Sequence, residues 1–144
     1  MQTLQKNLKT AIFKVMSMMY FLLPDPKCNE ENRVYIGING DPAYLITLVF
    51  HDRLAGKMAM DLLSIEESDV DAAVRLQTLH ETANIIGGNF LHSFDIEEKR
   101  NLTLPGNEKT DVFPEYEVIE EEQFTVSFES EPVKVTIESV KLPS

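Results

Sequence analysis

The sequence is poor in the residues that build disulfides, metal sites and nucleic-acid surfaces. Cys28 is its only cysteine, so it can form no intramolecular disulfide and no zinc site of the four-cysteine or two-cysteine, two-histidine kind. Basic residues are also scarce: 13 Lys and Arg stand against 24 Asp and Glu, for a formal net charge of −11. Because nucleic acids and anionic membranes bind basic surfaces, neither is expected as a partner.

The sequence also lacks the features of a membrane span or a secretory signal at its apolar run. That run, from Ala11 to Leu23, is too short to cross a bilayer, is interrupted by Lys14, and is followed by Pro24 instead of a small-residue cleavage site. We therefore predict a cytoplasmic protein that does not insert into membranes. A chain of 144 residues can bury a core without disulfides, and we expect residues 1–144 to form a single domain.

Hydrophobic periodicity predicts helices and a hairpin in the first half of the chain. The predicted elements are helix Gln2–Leu23, strand Val34–Ile38, strand Tyr44–Phe50 and helix Arg53–Leu63. The prolines at positions 24 and 26 end the first helix, and the turn signal at 39–41 joins the two strands into a hairpin. Asp52 is expected to cap the second helix.

The second half is predicted to contain one long helix followed by strands. The helix spans residues 70–92, and the strands are expected over 101–104, 124–128 and 133–137. Residues 115–122 are acidic and are predicted to be a solvated strand face or a loop. The predicted fold class is therefore a mixed α/β fold of the α+β type, in which helices pack on an antiparallel sheet.

The long helix contains two adjacent glycines, Gly87 and Gly88, which leave two interpretations open. Glycine is a poor helix residue and often ends a helix as a C-cap, so the helix could stop at Gly87. The apolar spacing nevertheless continues beyond the glycines and favours a continuous helix. The residues of this apolar face are Leu76, Leu79, Ala83, Ile86 and Phe90.

A continuous helix would place a second stripe of residues on one face, away from the apolar face. Its members are Gln77, Glu81, Asn84 and Gly88. Residues three and four apart are neighbours on a helix surface, so Glu81 and Asn84 would lie side by side. An amide can fix a water by donating one hydrogen bond and accepting another, and a carboxylate can hold a lysine. Phosphoryl transfer needs mainly such positioning of the nucleophile, with metal and cation neutralising charge.

The run Glu81-x-x-Asn84-x-x-x-Gly88-Asn89 resembles the E-x-x-N-x-x-x-G-N signature of the CheC/CheX/FliY chemotaxis phosphatases. The hairpin, the helix after it and the segment 102–105 resemble the family's elements at the same places. The resemblance covers about residues 33–105. With one such motif, the chain is most similar to the single-site, CheX-type members.

This resemblance implies a function in two-component signalling. Asn84 would orient the water that attacks the aspartyl phosphate of a CheY-like response regulator, and Glu81 would pair with the regulator's lysine. Gln77 and Gly88 would contact the partner; the family usually has Asp or Ser at the position of Gln77. The chain would bind no cofactor or metal of its own, since Mg²⁺ belongs to the regulator, and it would form a homodimer through its sheet.

Three other interpretations compete with the phosphatase. The chain could bind a regulator or the flagellar switch without hydrolysis, or it could be a structural protein that assembles through its sheet edge. Glu81 and Asn84 could also be no more than solvated helix residues. The three histidines suggest no zinc site, because Asn84 stands where the second histidine of the zinc-protease motif beginning at His80 would be needed.

Overall fold

The computed structural model describes residues 1–19, 31–128 and 131–144. The helices and strands in this part of the chain are, in order, α1 (Gln2–Met19), β1 (Glu31–Asn39), β2 (Ala43–His51), α2 (Asp52–Leu63), α3 (Ala72–Leu91), β3 (Asn101–Leu102), α4 (Lys109–Val112), β4 (Glu117–Phe128) and β5 (Glu131–Lys141). The predicted end of the first helix at Leu23 lies outside the described residues, and so does Cys28.

The strands form one antiparallel sheet with the order β3-β1-β2-β5-β4. Ile46 in β2 lies opposite Ile36 in β1 and Ile137 in β5, and all three side chains are fully buried. Successive residues of a strand point to opposite faces, so this register places one apolar row across the sheet. The predicted hairpin and the α+β fold class are confirmed.

Helices α1, α2 and α3 cover one face of the sheet. The buried residues of α1 recur at helical intervals, and they are Leu8, Ala11, Ile12, Val15 and Met16. α3 packs against α1, α2, β1 and β3 and therefore occupies the centre of the helical layer. This position fixes which of its faces is buried and which is left to solvent.

A smaller apolar cluster covers part of the opposite face of the sheet. It contains Ala43, Leu45, Val112, Phe113 and Val140. Gly37 makes this packing possible, since a Cβ there would lie 2.6 Å from the Phe113 ring and 2.7 Å from a Val112 methyl. An ion pair between Lys109 Nζ and Glu138 Oε1 (2.8 Å) also ties α4 to β5.

The predicted capping role of Asp52 is wrong. Asp52 is the first residue of α2, and the cap position belongs to His51, whose side chain makes no capping hydrogen bond. The Asp52 carboxylate instead accepts a hydrogen bond from Asn32 (2.9 Å) and pairs with Arg75 of α3 (2.9 Å). The partners of this carboxylate come from β1 and α3, so tertiary contacts have taken the place of a local cap.

Candidate functional site

Helix α3 continues through both glycines and ends at Leu91. Gly87 brings the helix close to the sheet, because a Cβ there would be 2.7 Å from Leu102 Cδ1 and 3.3 Å from Ile36 Cδ1. A missing side chain allows this close approach of helix and sheet. The alternative of a helix that stops at Gly87 is therefore wrong, and the predicted continuity is confirmed.

The buried face of α3 fixes the rotation of the helix about its axis. Leu79, Ala83, Ile86 and Phe90 are fully buried in the main core. The buried hydroxyls of Thr78 and Thr82 donate to backbone carbonyls four residues earlier, at 2.9 and 2.8 Å. These bonds satisfy buried polar atoms within the helix itself. The side of α3 opposite to this face must consequently point to solvent.

The solvent-facing stripe carries the four predicted site residues. Gln77, Glu81 and Asn84 are exposed, and nothing lies within 4 Å of a Cβ placed on Gly88. The Cβ atoms of Glu81 and Asn84, three positions apart on the helix, are separated by about 5–6 Å. Neither side chain hydrogen-bonds to another residue in the part of the chain that the structure describes. The site therefore presents a carboxylate and an amide side by side, with their hydrogen-bonding groups available.

A fixed segment, residues 102–107, borders one side of this stripe. At one end, the Leu102 side chain lies against Gly87. At the other end, the His80 imidazole Nε2 donates to the Asn107 amide oxygen (2.7 Å). Sequence reasoning missed this segment as part of the site. His80 and Asn107 are 27 residues apart and belong to no shared motif, so the sequence contains no signal for their contact.

Two ion pairs at the sheet each shift the pKa of one of their members. The hydrogen bond and charge of Lys134, 2.8 Å from the Glu31 carboxylate, lower the pKa of Glu31. A hydrogen bond to Glu138 raises the pKa of Lys109, against the opposing effect of burial. The first pair reaches across β2 to join β1 with β5, the second joins α4 to β5, and we assign both a structural role.

Within 1–19, 31–128 and 131–144, no group of three or more His, Cys, Asp or Glu side chains is arranged to hold a metal ion. None of the helices described there combines the length and the apolar character needed to cross a membrane.

The geometry limits what the stripe can do chemically. An amide does not take up a proton near neutral pH, so Asn84 can position a water but cannot act as a general base. Glu81 can accept hydrogen bonds from a cationic group. Because both side chains project from the helix into solvent, the group on which they act has to be brought by another molecule.

Several solved structures of bacterial proteins share this fold. A CheX–CheY–BeF3–Mg+2 complex from Borrelia burgdorferi matches with a TM-score of 0.64 and 18% identity, over 94% of this chain and 96% of that chain. CheX from Desulfovibrio desulfuricans matches at 16% identity and CheX from Vibrio vulnificus at 14%. Both have a TM-score of 0.64 over 96% of this chain and 99% of theirs. These likenesses establish the fold.

The family is established by a sequence model. No curated protein matches the sequence. The family model described as chemotaxis phosphatase CheX, however, matches residues 33–129, which is more than half of the 144-residue chain. The match includes nearly all of the hairpin, α2, all of α3 with its outward stripe, and the segment that borders the stripe. This chain belongs to the CheX chemotaxis phosphatase family.

Proposed function

We propose that this chain accelerates hydrolysis of the aspartyl phosphate on a CheY-like response regulator. Asn84 orients the attacking water, and Glu81 docks the chain by an ion pair with the regulator's lysine. Gln77 and Gly88 contact the regulator beside them. The observation that carries the proposal is the outward stripe of α3, where an exposed carboxylate and an exposed amide stand together without partners in the described residues.

In the proposed reaction, the water oxygen attacks phosphorus in line with the bond to the regulator's aspartate. That P–O bond breaks, the aspartate leaves as a carboxylate, and inorganic phosphate carries away the protons of the water. The Asn84 amide oxygen accepts one hydrogen bond from the water, while its NH₂ group donates to the water or to a phosphoryl oxygen. Mg²⁺ and the lysine of the regulator neutralise the phosphoryl charge. No covalent intermediate forms on this chain.

The partner and the metal are supported by likeness to the Borrelia burgdorferi structure, whose components are CheX, CheY, BeF3 and Mg+2. On this proposal Mg²⁺ arrives with the regulator, and the chain supplies no ligand to it. Glu81 suits the partner's lysine because an exposed carboxylate gains a charge-assisted hydrogen bond there. A single domain, a homodimer and a cytoplasmic location are parts of the same proposal, and light scattering of the purified chain tests the dimer.

The experiment that tests the proposal follows the decay of a phosphorylated single-domain regulator with increasing amounts of the chain. We expect Asn84→Ala to lower the maximal rate by about 10²-fold, the scale on which a single preorganised hydrogen-bonding group acts in catalysis. Glu81→Ala should raise the concentration needed for half-maximal rate about tenfold, because it removes a docking ion pair. Glu120→Ala, which removes an exposed carboxylate from β4, is the matched control and should behave as the wild type.

Two results would contradict the proposal. If Asn84→Ala keeps the full maximal rate while remaining folded, the amide does not position the water. If the wild-type chain binds the regulator without changing the decay, the chain is a binding module of the same fold, an interpretation that the sequence leaves open through Gln77.

A further inference from the structure

Leu104 is a large apolar side chain that the fold holds out in solvent, with 84% of its surface exposed. The backbone around it is fixed on both sides. Thr103 N donates to the Gly37 carbonyl (2.9 Å), and Gly106 and Tyr35 exchange two backbone hydrogen bonds at 2.8 and 3.0 Å. In addition, the Thr103 hydroxyl accepts a hydrogen bond from Gly37 N (2.9 Å). The exposure of Leu104 is therefore part of the folded structure.

The position of Leu104 along α3 follows from the two ends of its segment. Leu102 lies against Gly87, and Asn107 is bonded to His80. The segment thus runs beside the helix from Gly87 back to His80, with Leu104 between these two attachment points. Asn84 lies between the same two residues on the helix. Leu104 consequently borders the stripe at the level of Asn84.

We propose that Leu104 is an apolar anchor for the regulator, and that it sets the affinity of docking without taking part in the chemistry. This inference rests on the proposed function, which supplies the partner. The occupant is the receiver domain that carries the aspartyl phosphate, because a domain docked on Glu81 and Asn84 would also lie over the neighbouring Leu104.

Physical considerations favour an anchor at this position. Glu81 and Asn84 are well solvated in the free chain. The free-energy cost of removing their water on docking therefore offsets much of the binding free energy that their hydrogen bonds contribute. Burial of an apolar side chain adds affinity without requiring a precise geometry. Because the segment is already rigid, little conformational entropy is lost when a partner covers Leu104. Its side chain has no polar atom that could act on water or phosphate.

The test compares Leu104→Ser with Leu104→Met and with a matched control. Ile119→Ser serves as the control, since Ile119 is 62% exposed and lies on β4, at the opposite edge of the sheet from β3. Binding is measured by titration against the regulator loaded with Mg²⁺ and beryllofluoride, a stable analogue of the phosphoryl group. Decay of the phosphorylated regulator is measured with the same variants, over a range of chain concentrations.

We expect Leu104→Ser to weaken binding about tenfold, the effect of removing one buried leucine side chain from an interface. The half-maximal concentration in the decay assay should rise by the same factor while the maximal rate is kept. Leu104→Met should retain wild-type binding, and Ile119→Ser should change neither measurement.

The inference is overturned if Leu104→Ser binds as tightly as the wild type, if it lowers only the maximal rate, or if Ile119→Ser weakens binding equally. A wild-type chain that binds the loaded regulator but does not speed decay would refute the proposed function alone. In that case the binding titration still decides the role of Leu104. A wild-type chain that binds no regulator would overturn both.

Discussion

Replacement of Gly88 by alanine should make this protein more stable and less active. Glycine within a helix costs about 1 kcal/mol relative to alanine. Nothing lies within 4 Å of a Cβ placed on Gly88, so the new methyl group meets no atom of the chain. We therefore expect the free energy of unfolding to rise by up to about 1 kcal/mol. If the regulator approaches closely at Gly88, the same methyl group overpacks the docking surface and weakens binding about tenfold.

Gly87→Ala provides the matched comparison because the two glycines are adjacent in the same helix. The gain in helix propensity is equal at both positions, but a methyl group on Gly87 would lie 2.7 Å from Leu102 Cδ1 and 3.3 Å from the fully buried Ile36. Overpacking of this kind costs about 1–3 kcal/mol. The two variants should therefore differ in unfolding free energy by about 1–3 kcal/mol, with Gly88→Ala the more stable.

Urea unfolding and regulator decay, measured on both variants, check this prediction. A Gly88→Ala protein that is more stable and fully active would show that Gly88 is not part of the docking surface. If that protein were instead less stable than the wild type, the open space beside Gly88 would not exist in solution, and the orientation of the stripe would be wrong as well.

Three further predictions concern the N-cap of α3, an ion pair on the sheet and the source of the reacting group. The Asp71 carboxylate accepts a hydrogen bond from Val74 N (2.8 Å), so Asp71→Ala should lower the unfolding free energy by about 1 kcal/mol, whereas Asp71→Asn should keep it within a few tenths. Equal losses in urea unfolding would contradict the capping role. Lys109→Met leaves the carboxylate of Glu138, which is only 2% exposed, without its cation. This change should lower the unfolding free energy by about 1–3 kcal/mol at neutral pH. Glu138 raises the pKa of Lys109, so this pair stabilises the fold below the ordinary lysine pKa of about 10.4 and loses its effect as the pH rises through the higher folded pKa. The difference in unfolding free energy between wild type and Lys109→Met, measured with urea at several pH values, should therefore persist to about pH 10 and shrink above it. A difference that grows above about pH 10 would mean that folding lowers the pKa of Lys109, contrary to this prediction. Acetyl phosphate with Mg²⁺ should be hydrolysed no faster in the presence of the chain, as followed by phosphate release, and an acceleration would mean that the phosphoryl site lies on this chain.

The geometry of the outward stripe could be predicted from the sequence because it depends on one helix. Once α3 is continuous, the spacing from Gln77 to Gly88 places these residues on one face, and the apolar face determines that they point outward. The fold class was predictable for the same reason, since hydrophobic periodicity is a local property. The roles of the stripe residues toward a regulator do not follow from this geometry, and the decay assay tests them.

Features that depend on contacts distant in sequence could not be predicted. Aspartate is a residue type that often caps helices, but the carboxylate of Asp52 instead contacts residues of β1 and α3. For residues 115–122 the sequence left a strand face and a loop open; β4 begins at Glu117, seven residues before the predicted strand at Phe124, because pairing with β5 outweighs the low strand propensity of its glutamates. β4 is an edge strand, and most of its acidic side chains are exposed, so their charge does not prevent pairing. The segment carrying Leu104 reaches α3 through a contact of the same long-range kind.

The distribution of charge around the stripe explains why the proposed reaction would have to be shared between two proteins. Hydrolysis of an aspartyl phosphate needs positive charge near the phosphoryl oxygens, and the stripe itself offers none. Of the basic residues on α3, Arg75 is paired with Asp52, and His80 is held by Asn107 at the side of the stripe. The stripe thus presents an amide and a carboxylate next to each other, without a cation to stabilise a reacting phosphoryl group. Under the proposed function, a partner that brings its own metal and lysine would supply this positive charge, and the exposed carboxylate of Glu81 would be available to that lysine.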